Sequence, residues 1–380
     1  MGGRTLKRFL RKRILVATAY VAAAIALAWT TWLAGVEGLA QQAHDLRWRF
    51  VLFAIAADVA AYVCQAMRWR LLLGTVGDLP LLRAAQAVYV GLFASEVLPM
   101  RPGDGIRAWL AARTLNTPVS AVVPSIIVER FFDGLLLSAA VGIVSLSMPL
   151  PSGFAAGARI LGGAILLFAA VLGYAAAHAR DNVRGESGNS SAARPAWIRT
   201  IAGEIASGIR AIGIARNTIV AFVLSMLLMI GQIAAFWLAM RAAAIDRSFL
   251  IAAAVLTLVR LGTVVPNAPA NAGTFQVFTI LGLTMFGVDR ASAAAFSIVA
   301  FLILTIPLWL IGGVALAGAG TSLVALRASA SGGVERGEMH DRGGVVASAH
   351  PVTVLPRGFD VNSSARTGTG VAPSVGRGVR

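Results

Sequence analysis

Six apolar stretches, residues 14–36, 50–73, 119–149, 155–179, 217–243 and 291–326, dominate the chain, and each is long enough to cross a bilayer as a helix. A crossing takes about 20 apolar residues. Hydrocarbon offers nothing to backbone N–H and C=O groups, so a run of this kind closes its hydrogen bonds within itself and packs against its neighbours in one bundle. Hydrophobic residues make up 57% of the chain and charged residues 13%, with a mean hydropathy of +0.77, which no ordinary soluble domain reaches. The expected fold class is all-α, a polytopic helical membrane protein with about six full spans.

Formal net charge is +16, from 33 Lys and Arg against 17 Asp and Glu. On a soluble protein that balance suggests nucleic acid, but its placement points to topology. Six basic residues precede the first apolar run, six arginines against three acids lie in 180–216, and seven arginines against four acids follow Leu326. Cytoplasmic segments collect Lys and Arg because these resist translocation and meet anionic lipid. All three segments, and with them both termini, are expected in the cytoplasm, and no nucleic-acid partner is expected. The first apolar run is too long for the core of a cleaved signal and reads as an uncleaved helix.

The expected organisation is a transmembrane domain over 1–326, with a polar cytoplasmic loop and amphipathic helix at 180–216, and a disordered tail over 327–380. Ile198, Ile201, Ile205, Ile209 and Ile212 recur at helical spacing, as a helix lying on the membrane surface requires. Cys64 is the one cysteine, which rules out an intramolecular disulfide. His44, His178, His340 and His350 are scattered without ligand spacing, so neither a metal nor a cofactor is expected.

The sequence VLPMRPGDGIR (97–107) then places prolines, glycines and charge where hydropathy says membrane, and VVPNAPANAGTFQ (264–276) does the same. The pairs Pro99/Pro102 and Pro266/Pro269 are offset by the same 167 positions. Each pair separates two apolar runs, 84–98 from 106–115 and 250–265 from 274–288, that are too short to cross comfortably. Proline removes a backbone donor and clashes with the preceding turn. Two re-entrant helix hairpins follow, with broken tips that must line protein or water. Three full spans separate them, so they enter from opposite faces, as in an inverted repeat. Corresponding interruptions in two halves point to a transporter's binding site near the midplane. The run 291–326 is long for one span; division at Pro307 or Gly312–Gly313 would put the tail outside.

Glu96, Arg101, Asp104 and Arg107 cluster at the first break, and Glu129, Arg130 and Asp133 follow on the next span, with Glu129 and Asp133 on one face. Ionised groups at this depth cost about 2.5–3.5 kcal/mol each on insertion scales, so they pair, face a cavity or serve function. Arg101, Arg107 and Arg130 suit an anionic head group; a network in which the two acids neutralise the arginines is the alternative. Near the second break Arg260 is the lone basic group of its half-helix, and Asn267, Asn271 and Gln276 offer neutral hydrogen bonds. Asp58, an isolated intramembrane acid, reads first as a helix tie and second as a proton-coupling group.

These residues resemble a known family, the membrane region of lysylphosphatidylglycerol synthases and their stand-alone flippase-like relatives. The likeness covers roughly 11–326. LPMRPGDGIR is similar to the family's proline–arginine–glycine–acid–arginine break, with Asp104 where glutamate is commoner, and ERFFD (129–133) is similar to its Glu-Arg-x-x-Asp helix. The second break keeps Pro266, Pro269 and Gly273 but has Ala270, Asn271 and Gln276 where the family favours P-x-x-P-G-G-x-G-x-x-E, so no acid carries over there. The resemblance implies a lipid site built on Pro99, Arg101, Gly103, Asp104, Arg107, Glu129, Arg130 and Asp133, with Pro102 between them. Full-length synthases add a soluble aminoacyl-transferase domain; the 54 residues after Leu326 leave no room for one.

The expected function is a lipid flippase in a bacterial-type cytoplasmic membrane, a transporter rather than an enzyme. An anionic or glycosylated lipid would pass its head group through the cavity between the hairpins. A membrane-embedded transferase acting on a lipid phosphate or polyprenyl-linked sugar, with Asp104 or Glu129 as base, is the enzyme-class alternative. A non-catalytic scaffold for a lipid-modifying enzyme is the other. No phosphate-loop motif is present.

Overall fold

The computed structural model describes residues 3–98, 101–147, 163, 216–263 and 269–320. The expected span at 155–179, apart from Gly163, lies outside them, as do the loop at 180–195, the surface helix at 198–212, the tail at 327–380, and Pro99, Pro266 and Asn267. All described residues belong to one compact unit, Met1–Val334. They form α1 (Gly3–Ala34), α2 (Val36–His44), α3 (Trp48–Leu73), α4 (Leu81–Val97), α5 (Gly103–Leu115), α6 (Val119–Ser147), α7 (Arg216–Ala242), α8 (Phe249–Thr263), α9 (Thr274–Met285) and α10 (Arg290–Gly318). A 3-10 turn, Pro269–Asn271, precedes α9, and no strand occurs among the described residues.

Helices α3, α7 and α10 are each long and apolar enough to cross a membrane, and α1 with α2 makes a further pair bent by 74°. The bend falls at Gly35, whose φ of +69° suits glycine. Helix α6 is as long as α10, at 29 residues, but carries Glu129, Arg130 and Asp133 in its middle. Exposed positions such as Leu52, Phe53, Leu310 and Val314 are apolar, the surface that lipid requires.

The run 291–326 begins as one helix: α10 continues through Pro307 and Gly312–Gly313 to Gly318. Gly312 is a packing contact and not a break, because a Cβ there would lie 2.6 Å from Phe93 Cβ on α4. At its start, Asp289 accepts from the Ala291 and Ser292 N–H groups at 3.0 and 3.1 Å, and these bonds hold its carboxyl below the usual range. A lowered folded value means a stabilising contribution present above the ordinary carboxylate range and lost as pH falls through it. Asp289→Ala should therefore lower the thermal midpoint in detergent at neutral pH and flatten its decline on acidification.

The two hairpins, α4–α5 and α8–α9, enter from opposite ends. The Arg47 N–H donates to the Ala242 carbonyl at 3.0 Å, and Arg247 donates to the Gly287 carbonyl at 2.9 Å, which brings the start of α3, the end of α7 and the base of α8–α9 to one end. Helix α3 then runs 26 residues, about 39 Å, to the other end. There Gly77 lies against Leu115 at the base of α4–α5, and Gln86 on α4 donates to the Ala315 carbonyl of α10 at 3.0 Å.

The order α3–α4–α5–α6 thus recurs as α7–α8–α9–α10, and the packing repeats with it. Helix α3 lies along α7 more extensively than any other pair meets, α4 packs on α10 as α8 packs on α6, and each hairpin packs on its own following span. In both hairpins a glycine lets the arms close up: Gly91 against Gly103, and Gly282 against Val255.

Candidate functional site

Two polar groups join the helices, one buried and one centred on exposed Arg101. The first is a cluster of six charges on α3, α5 and α6. Glu129 is fully buried and sits between two arginines. Arg107 donates to both its carboxylate oxygens, at 3.1 and 2.7 Å, while Arg68 donates to Oε1 from the other side and Gln65 adds a bond at 3.2 Å. Arg68 also reaches Asp133 Oδ1 at 2.5 Å and Ser225 Oγ on α7 at 3.0 Å. Arg130 forks onto Asp104 at 2.9 and 2.5 Å and touches Asp133 at 3.3 Å. The Arg107 guanidinium lies 4.5 Å from the centre of the Trp69 ring, whose indole N–H donates to Ser125.

Three arginines against three carboxylates leave this cluster neutral. Its inner layer of Arg68, Glu129 and Arg107 is sealed, whereas the Arg130 and Asp104 side chains are 49% and 45% exposed. The network alternative of the sequence is therefore the observed one for Arg107, and the cluster opens to its surroundings chiefly at Arg130 and Asp104. Arg68 and Gln65 were not among the expected site residues; Arg68 belongs to an Arg-Trp-Arg triplet at the end of an apolar run, which reads as an interfacial flank.

The second group lies where the hairpin tips meet. Arg101, held at φ +50°, donates from Nη1 to the Thr263 carbonyl at 3.1 Å and to Asn271 Oδ1 at 3.3 Å. One guanidinium of the first break thus satisfies the carbonyl end of α8 and the turn of the second break. Pro102 and Gly103 start α5, and Pro269 and Asn271 form the 3-10 turn, which packs on α4. Gly273, at φ +83°, caps α9, and its N–H donates to the Gln276 side-chain oxygen at 2.7 Å. That amide is spent as a cap where the family favours an acid.

One turn before Thr263, Arg260 donates to Gln232 on α7 and makes no ion pair among the described residues. Asp58 on α3 and Glu96 on α4 are two further acids of the described residues. Among the described residues neither acid makes a hydrogen bond or direct ion pair, so no helix tie through Asp58 is seen there. No group of His, Cys, Asp or Glu among the described residues is arranged to hold a metal.

The family model described as lysylphosphatidylglycerol synthase TM region matches residues 14–312. Neither a curated protein nor a solved structure matches the chain.

Proposed function

The chain belongs to the lysylphosphatidylglycerol synthase transmembrane-region family, and from that premise we propose that it is a lipid flippase whose head-group site lies between the two hairpin tips. A multi-pass membrane protein concerned with lipid is what the family indicates; the translocation step is our reading. The carrying observation is that Arg101 joins both breaks in one hydrogen-bonded junction. Backbone unwound at membrane depth is tolerated where it lines a cavity, and half-helix ends from opposite faces supply oriented polar groups there.

The division of labour among the arginines supports this placement. Arg68 and Arg107 are buried against Glu129 and hold α3, α5 and α6 together. Arg101 and Arg260 bond only neutral oxygens among the described residues, which leaves their charge for a phosphate. A head group would enter past the open Arg130–Asp104 pair and exchange its water for these two guanidinium groups, with the acyl tails in hydrocarbon. Rocking of one repeat against the other would change the side to which the site opens. The inner membrane and cytoplasmic termini belong to the same proposal.

A transferase finds less support, because both carboxylates available as base are occupied: Glu129 by two arginines, Asp104 by Arg130.

The test is Arg101→Gln in liposomes carrying phosphatidylglycerol with a fluorescent head group, where an added membrane-impermeant quencher reports flipping. Glutamine keeps a Cβ at the same φ, so backbone strain is unchanged while the charge goes. The expected result is a flipping rate reduced at least about tenfold, one 1.4 kcal/mol contact, with the elution profile of the folded protein retained. A rate equal to wild type rejects the site.

A further inference from the structure

We propose that the hairpin junction selects lipids whose head group carries phosphate and no amine, and that the side-chain amides of Asn271 and Gln276 set this choice. The selectivity rests on the head-group site proposed above and names the class of lipid that the site accepts. It follows from which atom of each amide is already committed. A guanidinium or a backbone N–H can only donate, so an amide that meets one must turn its oxygen toward it. Asn271 meets Arg101 Nη1 through Oδ1 at 3.3 Å, and Gln276 meets the Gly273 N–H through Oε1 at 2.7 Å.

With both oxygens taken, each side chain is left with an NH2 group, and neither NH2 donates to an acceptor among the described residues. Each nitrogen shares a carbon with its bonded oxygen. Asn271 Nδ2 therefore stays beside Arg101, and Gln276 Nε2 stays at the head of α9. Bonds join the two places: Arg101 ties the Thr263 carbonyl, at 3.1 Å, to Asn271, which lies two residues before Gly273. That carbonyl is engaged as well. One turn earlier in α8 the same rule holds, since Gln232 spends its oxygen on Arg260. Of the acids flanking the first break, Asp104 is engaged by Arg130 and Arg107, and Glu96 lies on α4, five residues before Arg101.

The junction thus presents N–H donors and a cation. A phosphodiester offers acceptor oxygens and a negative charge, and a glycerol hydroxyl can accept as well, so both satisfy what the protein presents. An ammonium brings three donors, no acceptor and a second positive charge beside Arg101. Position 276 carries the distinction, because the family favours an acid where this chain has glutamine. A glutamate there would still accept from the Gly273 N–H, and its second oxygen would hold an amine. The carboxamide keeps the cap and replaces that oxygen with a donor.

The experiment measures dissociation constants for the full chain in detergent micelles with three dioctanoyl probes: phosphatidylglycerol, phosphatidylethanolamine and the lysyl ester of phosphatidylglycerol. Wild type is expected to bind phosphatidylglycerol at least about tenfold more tightly than either amine-bearing probe, with the lysyl ester weakest. Asn271→Asp and Gln276→Glu are isosteric and keep the bonds accepted from Arg101 and Gly273, so the fold is retained, as elution profile and melting point check. Each should weaken phosphatidylglycerol binding at least about tenfold and strengthen binding of the lysyl ester. Should one variant fail to fold, the other and the wild-type ranking decide. Equal wild-type affinities, or tighter binding of an amine-bearing probe, would mean that an acid such as Glu96 meets the lipid, and would overturn the selectivity while the head-group site stands. An unchanged ranking in a folded variant overturns the role of its amide. Failure of wild type to bind all three probes overturns the head-group site as well.

Discussion

Glu129→Gln is expected to cost about 3–5 kcal/mol of folding stability, the largest effect of any single substitution in the membrane domain. The glutamate is completely buried and is the only carboxylate bonded to both Arg68 and Arg107 among the described residues. Glutamine preserves shape but presents one acceptor oxygen and no charge. Arg107, with 3% of its side chain exposed, is left with Asp104 at 3.5 Å as its only carboxylate, and Arg68 with Asp133 as its only carboxylate beside the neutral Ser225 hydroxyl. Buried cations deprived of a partner are far more harmful than a pair removed together. The protein should aggregate on extraction or melt well below wild type in a detergent thermal-shift series. A wild-type melting point would show that the cluster does not hold the helices. For the same reason Arg107→Gln tests folding before it tests transport, which makes Arg101 the better probe.

Gly103→Ala should be nearly as damaging through sterics alone. A Cβ at residue 103 would lie 2.1 Å from the Gly91 carbonyl oxygen and 2.1 Å from Ser95 Oγ, and the carbonyl has no rotamer that moves it away. The arms of the first hairpin must separate, shifting Arg101 from Thr263 and Asn271. Overpacking of this kind costs about 1–3 kcal/mol, and flipping should fall along with the melting point. Gly105, two positions on, has nothing within 4 Å of its would-be Cβ. Gly105→Ala should therefore be neutral or stabilising by about 0.5–1 kcal/mol, since alanine suits a helix better. Equal melting points for the two alanine variants would show that the close approach of α4 and α5 is not needed.

The hairpins are legible in the sequence because prolines and glycines interrupt apolar runs too short to span, and the offset between them announces the repeat. The boundaries follow closely: α4 ends at Val97 and α5 starts at Gly103, on either side of the expected break. The roles of individual charges are less legible. Arg68 and Arg70 flank one tryptophan and look alike in one dimension, yet Arg68 is sealed in the core while Arg70 pairs with exposed Asp78. Only the phase of α3 against α6 separates them. Gln232 is a single amide in an apolar run with no local sign of its partner 28 positions away. Gln276 reads as a site group because it offers a neutral hydrogen bond near the second break, whereas the backbone N–H of Gly273 takes its oxygen.

The six-charge cluster belongs almost wholly to the first repeat. Among the described residues its only hydrogen bond to the second is the one from Arg68 to Ser225, and the only carboxylate–arginine pairs the second repeat makes there are at the surface, through Asp246. Among the described residues, two halves alike in topology are thus held differently: the first by buried charge pairs, the second by apolar contact. If the repeats rock as proposed, the half held by apolar contact would carry the motion, with the charge-tied half serving as its fixed frame.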